Sequence, residues 1–298
     1  MSRSYSVVIP ARNAERTLGA VLTSLAAQDP APTEVVVVDD RSSDETAALA
    51  ESLGARVVPG SGTGFAGGAR NEGWAASTAD TVVFLDSDAI PQPDWAAGLT
   101  RALEEFPGAI IGCARTFTAD TPWGWVAHLQ VETPYLPRGE PRRTTFVSSF
   151  CMAVPRDAPL RWDESYGGED GVFCADALAA GIPLVFDPRF VAHHDHGRES
   201  FEDLRGQQRR LAYGLARLGP VQREGTHKRF LARVPFHYFA LLRLPVIFRR
   251  LDSLPELRAR FVHNLPRMVV AEWTLGASAA RYALRPPPLR GQRGSGFR

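Results

Sequence analysis

Cysteine is scarce in this chain of 298 residues, and its few positions exclude two kinds of small scaffold. Cys113, Cys151 and Cys174 are odd in number and lie far apart in the sequence. A disulfide framework needs an even set of cysteines, and a structural zinc site needs ligands paired a few residues apart. Neither pattern is present, so we expect a protein of a reducing compartment.

Long apolar runs are also missing from the sequence. No segment reaches 18 uninterrupted apolar residues, the length expected of a membrane-spanning helix. The chain opens directly into an apolar strand, Tyr5-Ser6-Val7-Val8-Ile9, with no apolar stretch of signal-peptide length. With 44% apolar and 22% charged residues, the composition is that of a globular protein, which we expect in the cytoplasm.

Lysine occurs once, at Lys228, so arginine supplies almost all of the positive charge. From residue 228 onward there are 14 basic and 3 acidic residues, whereas residues 1–227 carry 20 basic and 30 acidic ones. A basic region of this kind suits an anionic surface. We therefore expect two domains: residues 1–225, and a helical, basic C-terminal extension over residues 226–298.

Two apolar stretches of this extension, Val234 to Phe248 and Pro266 to Leu284, are interrupted by charged residues. They are too short or too charged to span a bilayer, but apolar faces flanked by arginine suit helices that lie in the membrane interface. We expect peripheral contact with an anionic membrane at the inner face of the cell membrane. The alternative is an arginine-rich appendage that packs on the first domain or on another subunit. Nucleic acid is not expected as a partner, because no recognised binding module accompanies the charge.

Strand and helix patterns alternate over the first 110 residues. Apolar strands are predicted at Tyr5 to Ile9, Glu34 to Val38, Ala55 to Val58 and Val82 to Leu85, with helices between them. This alternation predicts an α/β fold with a mostly parallel, Rossmann-like sheet flanked by helices. The later part is less regular, with strands expected at Ala109 to Thr116, Thr144 to Val154, Pro183 to Phe186 and Phe190 to His193, a loop with a short helix at Thr121 to Pro141, and helices at Gly168 to Ala180 and Ser200 to Leu218.

Two pairs of aspartates end two of the predicted strands: Asp39 with Asp40, and Asp86 with Asp88. The carboxyl ends of parallel strands meet at one edge of the sheet, where open α/β folds bind ligands. Two close carboxylates repel each other unless a proton or a cation neutralises them, and a divalent cation carrying substrate phosphates is a usual partner. A single aspartate at a strand end is more often a helix cap, but two pairs at equivalent ends favour a cation site.

A glycine-rich loop fits a dinucleotide-binding pattern at the wrong place in the chain. Gly62-Thr63-Gly64-Phe65-Ala66-Gly67 matches G-x-G-x-x-G, yet it follows the third strand, whereas that fingerprint belongs at the first strand-to-helix turn. The first turn, Pro10-Ala11-Arg12-Asn13, has no glycine. We therefore expect neither NAD nor FAD, although a glycine loop before a helix suits phosphate binding and Arg70 can add a charged contact.

Five segments in order resemble the motifs of family-2 glycosyltransferases with the GT-A fold. Val7-Val8-Ile9-Pro10-Ala11-Arg12-Asn13 resembles their opening strand, and Val37-Val38-Asp39-Asp40-Arg41-Ser42-Ser43-Asp44 resembles their V-D-D-x-S-x-D segment. Gly68-Ala69-Arg70-Asn71-Glu72-Gly73 is similar to their A-R-N-x-G helix start, Leu85-Asp86-Ser87-Asp88 to their D-x-D, and Gly167-Gly168-Glu169-Asp170 to their E-D motif. The resemblance covers about residues 5–218 and implies a GT-A type fold.

The resemblance implies a nucleoside-diphosphate sugar as donor, with UDP favoured. The nucleoside would lie against Pro10, Ala11 and Asn13, and Asp40, or else Asp39, would accept a hydrogen bond from the base. Arg70 would lie near the diphosphate. Asp88 would bind Mg²⁺ or Mn²⁺ on the diphosphate, and Asp86 would ligate the metal directly, act through water or contact the ribose.

The resemblance also implies an inverting transfer with Asp170 as general base. A metal can stabilise the charge that builds on the departing diphosphate, and a carboxylate must take the proton of the acceptor hydroxyl, whose pKa is high. Asp170 lies at the start of a predicted helix, where the dipole favours an ionised carboxylate. The other interpretation is that Glu169 and Asp170 only stabilise that helix.

The cluster His193-His194-Asp195-His196 resembles a position that completes the metal or diphosphate site in relatives. His193 is the expected ligand, with His194 and His196 as alternatives, and a solvated polar loop is the competing interpretation. A separate zinc site is not expected, because no further ligand shows a supporting spacing.

The sequence says less about the residues that bind the acceptor than about those that bind the donor. Trp123, Trp125, His128 and Tyr135 either stack on an acceptor or pack in the core, and Ser148-Ser149 departs from the Gly-Gly-Asn or Gly-Ala of relatives. We expect a glycan, a lipid-linked sugar or a small molecule as acceptor.

The sequence thus predicts an inverting, metal-dependent glycosyltransferase of the hexosyltransferase type, with a role in cell-envelope or glycan biosynthesis. One rival is a nucleotidyltransferase that makes the sugar nucleotide, but it would need a glycine-rich first loop with basic residues. The other is a non-catalytic, membrane-docked protein that binds nucleotide sugars, against which intact Asp88 and Asp170 argue.

Overall fold

The structure, a computed structural model, describes residues 4–62, 64–164, 167–221 and 242–284. The chain forms two compact units: unit one is Met1–Thr116 with Tyr135–Asp195, and unit two is Phe117–Pro134 with His196–Arg298. The predicted domain boundary at residue 225 lies outside the described residues and stays a prediction. None of the helices in the described ranges has the length and apolarity needed to cross a membrane.

Unit one opens with the predicted alternation of strands and helices. Strands β1 (Tyr5–Ala11), β2 (Glu34–Asp39), β3 (Arg56–Pro59) and β4 (Thr81–Leu85) lie side by side in the order β3-β2-β1-β4, and all their pairings are parallel. Helices α1 (Glu15–Ala26), α2 (Thr46–Ser52) and α3 (Ala66–Ala76) connect them. Neighbouring residues such as Val7 and Val8 are both fully buried, in different core clusters. The uninterrupted apolar runs therefore reflect a sheet that is covered on both faces.

The sheet continues with strands that run mostly antiparallel. In chain order the elements are β5 (Ala89–Pro91), α4 (Trp95–Glu105), β6 (Ile110–Phe117), α5 (Pro122–Glu132) of unit two, β7 (Arg142–Thr144), β8 (Cys151–Pro155), α6 (Glu169–Ala179) and β9 (Leu184–His194). β8 is antiparallel to β4 and β6, and β5 and β7 are antiparallel to β9. The mixed sheet reads β3-β2-β1-β4-β8-β6-β9-β5. The α/β class is confirmed, and the parallel part is its first half.

Two predicted strand boundaries were wrong. The expected strand at Thr144 to Val154 is two strands, because β7 ends at Thr144 and β8 begins at Cys151. The two short strands expected around Asp187-Pro188 are the single strand β9. Strand β9 continues there because the buried Asp187 carboxylate accepts hydrogen bonds from the backbone N–H and the guanidinium of Arg189.

Unit two is helical, as predicted for the C-terminal extension. It contains α5, α7 (Phe201–Val221), α8 (Arg243–Arg249), α9 (Pro255–His263) and α10 (Leu265–Leu284). Helix α7 begins with a capping box, since Ser200 Oγ accepts from Asp203 N at 3.2 Å and Asp203 Oδ2 accepts from Ser200 N at 3.0 Å. Helix α5 is longer than the expected loop with a short helix, because Thr121 caps it and Pro122 occupies its first turn.

Candidate functional site

The Asp86-Ser87-Asp88 turn lies at the carboxyl end of β4, where the sequence places it. Its backbone is held on both sides: Asp86 N–H donates to Phe150 O at 2.9 Å, and Asp88 O accepts from Asp195 N–H at 2.9 Å. The side chains of Asp86 and Asp88 are 32% and 25% exposed. Two partly accessible carboxylates are thus fixed at the edge of the parallel half of the sheet.

His194 is the histidine that faces this turn. In the β5–β9 pairing His194 lies opposite Ala89, and its Nε2 is 3.6 Å from Asp88 Oδ2. His193 instead has Nδ1 at 3.2 Å from Thr116 Oγ1. Successive side chains of a strand point to opposite faces, so one of the two histidines has to turn away from the aspartates. Of the histidines expected at the metal, His194, one of the two alternatives, is the one near Asp88, whereas His193 lies near Thr116.

The Asp88 and His194 donors fit a divalent cation. Two ligand atoms at about 2.1 Å from Mg²⁺ lie about 3.0 Å apart at right angles, and farther apart at wider angles. The observed 3.6 Å is within that range. Carboxylate oxygen and imidazole nitrogen both occur as ligands of divalent metals, and phosphate or water completes the shell of Mg²⁺ or Mn²⁺. The separation of Asp88 Oδ2 and His194 Nε2 is thus compatible with the binding of one cation by both residues.

Arg70 ties Asp86 to the E-D motif. Its guanidinium donates to Asp86 Oδ1 at 2.8 Å and to Glu169 Oε1 at 3.2 Å, and lies 4.8 Å from the ring centre of Trp162. Arg70 is only 2% exposed, and its guanidinium is engaged by these two carboxylates; its expected place near the diphosphate stays a prediction. Burial raises the pKa of Asp86, as does the nearby charge of Asp88, while Arg70 opposes the shift.

The neighbouring Asn71 fixes the segment that leads to the E-D motif. Its amide pairs with the backbone of Trp162 in both directions, Nδ2 to O and N to Oδ1, each at 3.0 Å. A Cβ on Gly67 would lie 2.0 Å from Asp163 O, so the helix and this segment touch backbone to backbone. Gly167 and Gly168, with φ of 67° and 78°, then turn the chain into α6. The A-R-N motif thus positions Glu169 and Asp170.

Asp170 lies in the first turn of α6 and has a strongly altered acidity. Burial and the charge of Glu169 raise its pKa to about 7, against the opposing effect of Arg70. The helix dipole favours the ionised form, but desolvation by burial has the larger effect on this pKa. A carboxyl group with a pKa near neutrality suits general-base chemistry.

The other expected donor residues lie at the ends of β1 and β2. Ala11 pairs with Asp39 in the parallel register, directly after the pair Pro10 and Val38. Asn13 has a left-handed φ of 51°, and its Oδ1 accepts from Ser43 N–H at 2.8 Å. This hydrogen bond joins the two loops that follow the strands.

Asp39 and Asp40 differ in accessibility. Asp40 is 6% exposed, and its Oδ2 accepts from Gly64 N–H at 2.9 Å, so it anchors the glycine loop. Asp39 is partly exposed and accepts from Ser42 N–H at 3.3 Å. By accessibility, Asp39, our second choice, is thus better able than Asp40 to accept a hydrogen bond from the nucleobase of the donor.

Sequence reasoning missed Arg115 of β6. This arginine is 4% exposed, and its guanidinium lies 4.5 Å from the ring centre of Tyr135 and 4.3 Å from that of Phe150. The signal was a charged residue inside the apolar run Ile110 to Phe117. Its positive charge opposes the raised pKa of Asp170, which connects it to the site.

The aromatic residues expected at the acceptor side fall in different places. Tyr135 belongs to unit one, against Arg115. In unit two, Trp123 packs on Phe201 at 4.8 Å, and His128 stacks on Phe117 at 4.6 Å and on His196 at 3.7 Å. These contacts fit the packing interpretation for Trp123 and His128, and they place His196 in a stack of aromatic rings.

Comparison with known proteins agrees with the motifs. Residues 6–159 match the family model described as glycosyl transferase family 2. The pre-mycofactocin glycosyltransferase of Mycobacterium tuberculosis (strain H37Rv) is 30% identical over 213 residues, which cover 65% of this chain and 43% of that protein. A 56-residue stretch, 19% of this chain and 15% of the relative, is 46% identical to 4,4'-diaponeurosporenoate glycosyltransferase of Staphylococcus aureus (strain bovine RF122 / ET3-1). The chain thus spans less than half the length of these relatives.

Solved structures share the fold. A mannosyltransferase from Pyrobaculum calidifontis, in complex with GDP-Man and Mn²⁺, superposes with a TM-score of 0.64 at 17% identity over 95% of this chain and 88% of that one. Glucosyl-3-phosphoglycerate synthase from Mycobacterium tuberculosis, with Mn²⁺, UDP-glucose and phosphoglyceric acid, gives 0.50 at 24% identity over 73% and 80%. The first superposition confirms the predicted GT-A type fold.

Proposed function

Because the chain belongs to glycosyltransferase family 2, we propose that it transfers a sugar from a nucleoside-diphosphate donor to an acceptor hydroxyl with inversion at the anomeric carbon. One observation supports this most directly: the guanidinium of Arg70 bonds to both Asp86 and Glu169. It joins the D-x-D turn to the segment that carries Asp170. The D-x-D turn and the helix that begins with Glu169 and Asp170 are thereby held together.

The donor lies, in this proposal, along the carboxyl edge of β1, β2 and β4. Asp39 accepts a hydrogen bond from the base, for which uracil is favoured, and Pro10, Ala11 and Asn13 line the nucleoside. Asp40 holds the glycine loop closed beside it. Asp86, oriented by Arg70, contacts the ribose or a metal-bound water.

Asp88 and His194 would hold Mg²⁺ or Mn²⁺, which would supply positive charge to the diphosphate leaving group. Asp170 accepts the proton of the acceptor hydroxyl as that oxygen bonds to the anomeric carbon and the diphosphate departs. With a single base and attack from the opposite face, no covalent intermediate forms. Arg115 and Arg70 keep part of the Asp170 population ionised at neutral pH, as a base requires.

The acceptor is proposed as a glycan, a lipid-linked sugar or a small molecule. Tyr135 of unit one is partly exposed, and its ring centre lies 4.5 Å from the Arg115 guanidinium. Ring faces of this kind suit contact with the apolar faces of a sugar.

A donor panel tests the proposal without knowledge of the acceptor. UDP-, GDP- and dTDP-sugars are incubated with the protein and Mn²⁺, and release of nucleoside diphosphate by slow hydrolysis is measured. We expect one base to dominate, release to stop with a chelator, and Asp170→Asn to reduce it by about 10²-fold or more. Exposed Asp157, changed to Asn, serves as the matched control. Equal release by Asp170→Asn and the wild type would remove the base assignment, and no binding or turnover of any donor would remove the function.

A further inference from the structure

The solvent side of α10 is apolar. Val262, at the end of α9, and Leu265, Val269, Val270 and Trp273 of α10 are between 39% and 61% exposed, and we call these five residues the apolar stripe. Within α10, Leu265, Val269 and Trp273 follow one another at intervals of four residues, and Val270 lies three residues before Trp273, so these four lie on one side of the helix. An exposed and contiguous apolar face of this size marks a surface that another body covers.

The inner side of the same helix includes buried polar groups. Glu272 is fully buried and accepts from Gln130 Nε2 at 2.9 Å and from Arg243 at 3.3 Å. Asn264, one residue before α10, is also buried. The same inner side also buries Met268, Ala271 and Leu275, so α10 carries apolar residues on its buried side and, at the stripe, on its exposed side as well. Intramolecular packing within the described residues does not account for the stripe.

An arginine-lined cavity lies one turn beyond the stripe. It measures about 260 Å³ and is lined by Arg205 and Arg209 of α7 and by Ala277, Arg281 and Tyr282 of α10, among others. Arg205 and Arg209 share one acidic partner, Glu202, at 2.7 and 3.3 Å. The cavity therefore keeps an excess of positive charge, and guanidinium groups bind phosphate well.

We propose that this face of unit two docks on an anionic phospholipid bilayer, with the stripe in the interface and a lipid phosphate in the arginine cavity. The charge of this face favours an anionic membrane over a second copy of the chain as its partner. Residues 242–284 contain seven arginines and three acidic residues, and residues 285–298 add four arginines. Pairing with a second copy would bring these like charges together, whereas an anionic surface attracts them. A Trp at the edge of an apolar stripe is the side chain that the headgroup region favours.

Vesicle sedimentation tests the docking surface independently of glycosyl transfer. The full-length protein is spun with phosphatidylcholine vesicles, with or without phosphatidylglycerol. We expect binding only when phosphatidylglycerol is present, and weaker binding as NaCl rises from about 0.1 M to about 1 M. The double variant V269S/W273S should lower the partition coefficient by about tenfold or more, because it removes the inserted apolar groups.

One further variant tests the arginine cavity separately from the stripe, and another serves as a control outside the surface. Arg205→Gln with Arg281→Gln should weaken binding and flatten its salt dependence, while Glu202 keeps Arg209 as partner. Leu53→Ser, which changes an exposed leucine of unit one, should bind vesicles as the wild type does.

Three results would overturn the proposal. The first is that the wild-type protein does not bind phosphatidylglycerol vesicles at low salt, or that V269S/W273S binds them as well as the wild type does. The second is a dimer that V269S/W273S separates in the absence of lipid, which would assign the stripe to a second copy. The third is a large fall in the melting temperature of V269S/W273S, which would assign it to residues 222–241 of the chain itself.

Discussion

Asp170 is subject to opposing electrostatic effects. Burial and Glu169 raise its pKa to about 7, while Arg70 and Arg115 oppose the shift. The result is a carboxylate more basic than an ordinary aspartate that still ionises near neutral pH. A stronger base takes a hydroxyl proton more readily, and this gain has a cost in folding stability.

The pH dependence of activity follows from this pKa. A base must be deprotonated, so kcat/KM should rise with pH and level off above about 7, a value taken from the pKa of Asp170. Donor hydrolysis measured from about pH 5 to about pH 9 in overlapping buffers checks it. A flat profile across this window would contradict the role of Asp170.

The same carboxyl group makes a prediction about stability. The folded-state pKa lies above the unfolded value of about 3.9, so the folded state binds more protons and loses stability as pH rises through about 7. Asp170→Asn removes this loss. Its melting temperature should exceed that of the wild type by about 3 °C or more at pH 8, with a smaller difference at pH 5. A variant less stable than the wild type at pH 8 would show that the ionised carboxylate is stabilising.

At the scale of elements, helix α3 determines how the site is assembled. The first turn of α3 lies against Asp163, and Gly73 packs on β1. Arg70 bonds to Asp86 of the D-x-D turn, and Asn71 bonds to the backbone of Trp162. A Cβ on Gly73 would lie 2.2 Å from Val8 Cγ1, in the middle of the parallel sheet. Glycine allows the helix to approach the strand closely enough for these side chains to reach their partners.

Gly73→Ala should therefore destabilise the fold although alanine is the better helix former. Overpacking against Val8 should cost about 1–3 kcal/mol, measured by urea unfolding. Gly206→Ala is the matched control, because Gly206 of α7 has no atom within 4 Å of the added Cβ. It should gain about 0.5–1 kcal/mol from helix propensity. Similar changes in both variants would contradict the close packing of α3.

Sequence patterns predicted the elements better than their pairings. The apolar runs ending in Asp39 and Leu85 predicted β2 and β4, because burial on both faces leaves a local signature. The choice between His193 and His194 depends on the register of β5 against β9, which no local pattern records. Arg70 was expected near the diphosphate, but its bridge to Glu169 spans 99 residues of sequence and was not foreseen. Such long-range contacts need the folded chain.

At the scale of the whole molecule, the basic C-terminal region of the sequence, which forms the helical extension, lies in unit two. The basic composition predicted an anionic partner, but the composition alone did not show which apolar residues of α10 are exposed. That depends on which side of the helix packs inward, where Glu272 is buried with Gln130 and Arg243 as partners. Unit one carries the proposed catalytic residues and unit two the proposed docking surface, so the two properties can be tested by separate variants.

The central claim is that Asp88 and His194 bind a divalent cation that carries a nucleoside diphosphate. The direct measurement is calorimetric titration of UDP, GDP and dTDP into the full-length protein, with and without Mn²⁺. We predict that the preferred nucleotide binds only with Mn²⁺, and that Asp88→Asn and His194→Ala each weaken binding by about tenfold or more, whereas His193→Ala behaves as the wild type. Binding that is independent of Mn²⁺, or unchanged in Asp88→Asn, would contradict the claim.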